Sequence, residues 1–301
     1  METLRIGSRG EDVKILQNLL QNHGYSLFID GIFGNRTENI VLNFQQKNNL
    51  DIDGIVGNIT WSYLKNNNEK SEIFINKTKY VLPEKNYSRK LFTKTCCVLH
   101  HTNGWVVKKG TKDEPCMNHV NWWGSRNDIN YPLGTAYSID YKGNIYEHFN
   151  PDYWAYHLGV GKKRNYLDKQ SIGIEITNEG FLDKKSNNKF VWYSGNIELP
   201  YNRSQDKPIY VKEKWRGYNW FAPYSNEQIK STIWLIKFLC KKYNIKMNFI
   251  SDCNYHSNIL NGKYEGIYSH SNIRNYPSRY PKWDLSIVFP FEHVKKELMK
   301  K

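Results

Sequence analysis

A chain of 301 residues is long enough for two domains. Its 39% hydrophobic and 15% aromatic content excludes a wholly disordered polymer, which needs low hydrophobicity. The formal net charge of +14 points to a polyanionic partner, whether nucleic acid, anionic membrane or acidic cell wall, without choosing among them.

No apolar run approaches the roughly 18 residues of a membrane span, and residues 1–9 lack the apolar segment of a secretory leader. The cysteine count is five, an odd number, and Cys96 and Cys97 adjoin within an apolar run. Buried thiols are therefore expected rather than disulfides, in a chain folded in a reducing cytoplasm.

In chain order, residues 4–64 form a pseudo-repeat. Val13, Leu16 and Leu20, and later Ile40, Val41 and Phe44, follow helical spacing. Each set precedes an Asp-Gly turn, first Asp30-Gly31-Ile32-Phe33-Gly34 and then Asp53-Gly54-Ile55-Val56-Gly57. Thr37 and Thr60 are expected as N-caps of the helices that follow. This predicts a small all-α, three-helix domain over residues 1–65. A polar linker over 66–79 follows, opening with Asn66-Asn67-Asn68-Glu69-Lys70.

Residues 80–301 mix strand and helix signals and read as an α/β domain, a mixed sheet flanked by helices. Cys96-Cys97-Val98-Leu99 is a short apolar strand ending at His100-His101-Thr102. Residues 125–149 alternate around a Lys142-Gly143-Asn144 turn, a hairpin signal. Ser171-Ile172-Gly173-Ile174-Glu175-Ile176 reads as a buried strand. Residues 183–223 are polar, aromatic and Gly/Asn-containing, and are expected as an insertion of surface loops. Residues 225–243 read as a helix, with Ser225 and Gln228 as a capping box.

Among nine histidines, two places are informative. His100 and His101 end a strand, where a ring faces a cleft more readily than mid-strand. Ile267-Tyr268-Ser269-His270 is followed fourteen positions later by Asp284. Two imidazoles and one carboxylate match a catalytic zinc site with a fourth position left for water.

The ordered set resembles the zinc-dependent N-acetylmuramoyl-L-alanine amidases, the family that includes phage amidases and animal peptidoglycan-recognition proteins. The resemblance covers roughly residues 80–291, interrupted by 183–223. It implies His100, His270 and Asp284 as ligands of Zn2+ and Glu175 as the catalytic carboxylate. Tyr137, in Gly134-Thr-Ala-Tyr137-Ser138-Ile139-Asp140, and Lys282 would act as oxyanion stabilisers. It places Trp154, in Trp154-Ala-Tyr-His157-Leu-Gly159, and Thr102 on the substrate, and His157 either on the substrate or behind a metal ligand. The sequence departs from the family in a long His270–Asp284 spacing and in Leu285-Ser286 after the Asp. Should Asp284 fail as a ligand, Cys253 and His256 stand next.

The N-terminal segment resembles the short three-helix peptidoglycan-binding domain found beside wall hydrolases. Together the two resemblances imply an endolysin held in the host bacterial cytoplasm, without a signal peptide, until lysis. It would act as a monomer on peptidoglycan and cut the bond between N-acetylmuramic acid and L-alanine. A wall-recognition protein that does not cut, or a zinc peptidase for another wall amide, are the alternatives. A nucleic-acid partner is set aside, because no basic-aromatic reading motif accompanies the charge.

Overall fold

The computed structural model describes residues 2–23, 25, 27–48, 50–65, 73–102, 117–128, 130–194, 197–201, 207–274 and 285–300. The chain divides into two units, Met1–Ile73 and Phe74–Lys301.

The first unit is built on α1 (Glu11–Asn22), α2 (Asn35–Lys47) and α3 (Asn58–Lys65), as the helical spacing predicts. Val13, Leu16, Leu20, Phe33, Val41, Phe44, Val56, Trp61 and Leu64 form its core. The pseudo-repeat is physical, because two buried glutamines tie the two turns in the same way. Gln17 Nε2 donates to Asp30 Oδ1 at 2.7 Å and to the Ile32 carbonyl at 3.1 Å, while its Oε1 accepts from Gly31 N at 2.9 Å. Gln45 repeats the pattern with Asp53 at 2.7 Å, Ile55 at 3.0 Å and Gly54 N at 2.9 Å. Gly31 and Gly54 hold φ of 73° and 71°, a left-handed conformation that favours glycine.

Thr37 and Thr60 are not the helix caps expected of them. The caps before α2 and α3 fall near Gly34 and Gly57, and each threonine lies within the first helical turn. Their hydroxyls are drawn back to the turns, donating to the Ile32 and Ile55 carbonyls and accepting from the two glutamines.

The second unit contains a six-stranded mixed sheet. Its strands are β1 (Ile75–Asn76), β2 (Cys96–His101), β3 (Tyr137–Ile139), β4 (Ile145–Glu147), β5 (Ser171–Ile176) and β11 (Gly266–Ser269), in the order β1-β4-β3-β5-β2-β11. Only β3 and β4 are antiparallel. Asp140 closes their hairpin by accepting from Lys142 N and Asn144 N. Because β1 pairs with β4, this unit starts ahead of residue 80, inside the segment read as linker.

The strands β2 and β5 are buried on both faces, as parallel strands under crossover connections are. Helix α6 (Asn226–Tyr243) covers one face and opens with the expected Ser225–Gln228 capping box. A short α4 (Asn118–Ser125), α5 (Tyr166–Gln170) and α7 (Phe291–Leu298) complete the helices. Cys96, Cys97 and Cys240 are buried free thiols, in line with expectation.

Residues 183–223 are not surface loops. They belong to a second, five-stranded antiparallel sheet, β8-β7-β6-β10-β9. It comprises β6 (Phe181–Lys184), β7 (Phe190–Ser194), β8 (Ile197–Pro200), β9 (Ile209–Trp215) and β10 (Tyr218–Phe221). Its apolar packing is aromatic, with Leu182, Trp192 and Ala222 surrounded by Phe190, Leu199, Tyr201 and Trp220. Among the described residues no helix is long and apolar enough to cross a membrane.

Replacing either glutamine strands a buried glycine N–H, at a cost on the order of 2 kcal/mol. Gln17→Ala and Gln45→Ala should therefore raise amide exchange across residues 2–65 by similar factors. Hydrogen-exchange mass spectrometry of the full chain reads this, and protection within residues 96–101 should stay unchanged.

Candidate metal centre

Parallel register sets the site. His100 on β2 pairs with Glu175 on β5, and Glu175 with Ser138 on β3. Paired residues of neighbouring strands project to the same face, so Ser138, Glu175 and His100 share one rung. Ser269 pairs with Leu99, which brings His270, the next residue, level with His100. All four side chains are buried.

The ring orientations follow from hydrogen bonds whose direction is forced. Ser171 Oγ donates to the Leu167 carbonyl at 2.6 Å, so towards His157 Nε2, 2.9 Å away, it accepts. His157 therefore carries its proton on Nε2. Burial, and then the neighbouring His100 and His270, push its pKa far down, so the ring is neutral and Nδ1 bears a lone pair. That Nδ1 lies 2.9 Å from His100 Nε2, which must be the donor. His270 Nε2 donates to the Leu158 carbonyl at 2.8 Å.

Both His100 and His270, when neutral, thus expose a lone pair on Nδ1, and these two atoms are 2.9 Å apart. Two lone pairs at that distance repel unless a cation lies between them. Neutral imidazole nitrogen is a zinc ligand, and each ring's second nitrogen is held by a protein group, as ligating histidines require. The donor set fits a metal ion.

Glycine at 173 is part of this construction. A Cβ there would come within 2.9 Å of Thr135 Cγ2 and 3.0 Å of His157 Nδ1. The strand Ser171–Ile176 is therefore not uniformly apolar. Ser171, Gly173 and Glu175 face the site, and the three isoleucines face away.

With this geometry in place, residues 94–284 match the model of the N-acetylmuramoyl-L-alanine amidase family, well over half of the chain. The chain belongs to the N-acetylmuramoyl-L-alanine amidase family. Residues 9–64 match a putative peptidoglycan binding domain.

Among solved structures, the chain is similar to a Burkholderia AP3 phage endolysin, 45% identical over 22% of this chain and 25% of that one (TM-score 0.22). It is similar to a fused Zn-dependent amidase/peptidase from Clostridium acetobutylicum, 41% identical over 21% and 28% (TM-score 0.21). The amidase LysC of Clostridium intestinale is 17% identical over 76% and 99% (TM-score 0.37). The chain thus spans only about a quarter of the length of the first two.

Within the amidase unit, the remaining expected site residues separate. Tyr137 does not join the centre. It pairs with Ile174, one position out of step with Glu175, and so lies on the opposite face of the sheet. Its hydroxyl donates to Glu147 Oε2 at 2.8 Å, and burial raises its pKa. Thr102 is spent on structure, since its hydroxyl donates to the Asn178 carbonyl and accepts from Asn178 N, both at 3.0 Å.

Trp154 packs among Phe92, Tyr156 and the Lys169 ammonium. His157, expected either on the substrate or behind a ligand, takes the second place and steadies His100. His101 turns to the other face and meets Tyr224 Oη at 2.8 Å. His256 pairs with Asp252 at 2.9 Å. Asp284 and Lys282 lie outside the described residues. Among those described, no group of three or more His, Cys, Asp or Glu side chains is arranged to hold a metal.

One buried network escaped the sequence reading. His148 Nδ1 donates to the Tyr80 carbonyl at 2.8 Å, Ser138 Oγ lies 2.6 Å from His148 Nε2, and His119 Nε2 lies 2.9 Å from the same hydroxyl. With Nδ1 protonated and the ring neutral, His148 Nε2 accepts from Ser138, which accepts in turn from His119. The readable signal was Ser138, a polar residue at an inward strand position beside Glu175.

Burial holds the His148 pKa down at about 4. A group whose folded pKa lies below its unfolded value of about 6.5 takes up protons on unfolding, so stability falls as pH drops from about 6.5 towards 4. The loss approaches about 3 kcal/mol for this one group. His148→Gln removes the titration. Urea unfolding at pH 7.5 and 4.5 should show the gap between variant and wild type narrowing at the lower pH.

Proposed function

We propose that this amidase hydrolyses the amide between the lactyl group of N-acetylmuramic acid and L-alanine in peptidoglycan, using zinc held by His100 and His270. The observation that carries the reading is the pair of Nδ1 lone pairs at 2.9 Å beside a buried glutamate on the same rung. The family match supports the substrate class, and the N-terminal match supports anchoring to the wall. Asp284 is proposed as the third ligand. The enzyme acts as a monomer.

Zinc, when bound, supplies a Lewis acid that acidifies water and polarises an amide carbonyl. The chain's own residues do the rest. His157 and the Leu158 carbonyl keep both ligand rings in one tautomer and one orientation. Glu175 accepts the proton of the attacking water and returns it to the leaving amine, so that the departing group is a neutral amine. Lys282 is proposed to face the oxyanion, a role that preorganised donors fill at about 2.7–4 kcal/mol each.

The test incubates purified peptidoglycan with wild type, His100→Ala and Glu175→Gln, with bound zinc quantified and new ends identified by mass spectrometry. Wild type should release stem peptides beginning with L-alanine. His100→Ala should lose metal and activity together. Glu175→Gln should keep its metal and lose about 10²–10⁴-fold in rate. Zinc-loaded wild type that binds wall and frees nothing would overturn the catalytic reading, and new ends within the peptide would overturn the choice of bond.

A further inference from the structure

The two rings of the metal centre depend on one dipeptide. His157 holds His100 through its side chain, and Leu158 holds His270 through its carbonyl. What fixes that dipeptide is a single carboxylate outside the centre. Asp168, on α5, is almost wholly buried, with 1% of its surface exposed. Its Oδ1 accepts from His157 N at 2.8 Å and from Leu158 N at 2.9 Å. Three residues further on, Ser171 Oγ accepts a hydrogen bond from the His157 ring. The turn 168–171 therefore grips His157 by backbone and ring at once.

We infer that Asp168 is a positioning residue of the amidase, which sets the orientation and tautomer of both His100 and His270 by clamping the backbone of His157 and Leu158. The inference rests on the zinc reading for its functional meaning, but its geometry does not.

The position is a costly one for a carboxylate. Oδ2 has no hydrogen-bond partner among the described residues, and burial pushes the carboxyl up to about 6 against the pull of its two N–H donors and Arg274. Packing alone does not account for a charge here, because an apolar side chain of similar size would avoid this desolvation. An acceptor does, since without it two backbone N–H groups of a buried loop would lose their partner. Arg274 adds a further contact, its Nε donating to the Leu158 carbonyl at 3.3 Å. It therefore shares that oxygen with His270, but it leaves the N–H groups to Asp168.

The role separates into two measurable parts. Asp168→Asn keeps an Oδ1 acceptor and should preserve the clamp. Asp168→Ala removes it, and Asp168→Leu removes it while filling the volume should the alanine variant fail to fold. Ile259→Ala, a cavity in the same apolar cluster, controls for loss of stability alone.

Zinc affinity, measured by chelator competition, should fall about 10–100-fold in Asp168→Ala or Asp168→Leu. It should stay near wild type in Asp168→Asn and Ile259→Ala. Long-range proton–nitrogen spectra of the metal-free protein should show His157 and His270 protonated on Nε2 in wild type and Asp168→Asn, and tautomer averaging in the acceptor-less variants.

A folded Asp168→Ala or Asp168→Leu with wild-type zinc affinity and unmoved histidine signals would overturn the inference. If wild type itself binds no zinc, the function proposed above fails, while the metal-free spectra still decide the role of Asp168.

Discussion

Holding two imidazole nitrogens 2.9 Å apart with both lone pairs facing runs against electrostatics, and much of the amidase unit is arranged to enforce it. Each ring is anchored by its far nitrogen, one to His157 and the other to the Leu158 carbonyl, so neither can rotate its N–H inward. A proton could bridge the pair, but that places a positive charge beside a third ring whose own protonation is strongly disfavoured. A divalent ion meets the same demand with two lone pairs and neutral ligands.

This constraint propagates outward through register. Parallel pairing of β2, β5 and β11 puts His100, Glu175 and His270 at one level, and a slip of a single residue in any strand would send a site residue to the far face. Tyr137 shows the effect directly. Its strand was legible from the alternation of 134–140, but not the phase of that strand against Glu175, and one position of offset moves it across the sheet to Glu147. His100, Glu175 and His270 were legible as candidates, on or beside strands that the sequence marks and through the resemblance that gives them their roles. Ser171 and Asp168 were not, since their partner His157 comes from a separate loop and the contact exists only once the chain has closed on itself. The alternation that would have exposed Ser171 was present. Serine, glycine and glutamate at every second position mark the inward face as clearly as the isoleucines mark the other.

The second sheet failed to register for a different reason. Strands are legible when aliphatic and polar residues alternate, whereas β9 carries Lys212, Glu213 and Lys214 in succession and the neighbouring strands are joined by Asn- and Gly-bearing turns. Its cohesion comes from ring contacts across strands, such as Phe181 on Tyr218 at 3.8 Å and Phe190 on Trp220 at 4.9 Å. Cross-strand aromatic pairs stabilise a sheet without an aliphatic stripe. The segment leaves the first sheet just after β5 and returns at Ala222, and Asn178 fastens its two ends by donating to the Ala222 and Pro223 carbonyls. Thr102 bonds the backbone of the same asparagine, so the residue expected to touch substrate instead ties the inserted sheet to the end of the strand that bears His100.

The distribution of charge bears on how the two units share the work. Residues 1–65 hold six Lys or Arg and seven Asp or Glu, so the basic character of the chain, +14 in all, resides beyond them. Long-range attraction to an anionic polymer would therefore act on the second unit, and would fade over a Debye length of about 8 Å at physiological salt. On the reading proposed above, any hold of the N-terminal unit on the wall would owe little to its net charge. Such a hold on the same polymer would keep the second unit at high local concentration, while its own positive field would shorten each search for the next bond. The two effects act on different steps, one on residence and one on encounter, and so neither makes the other redundant.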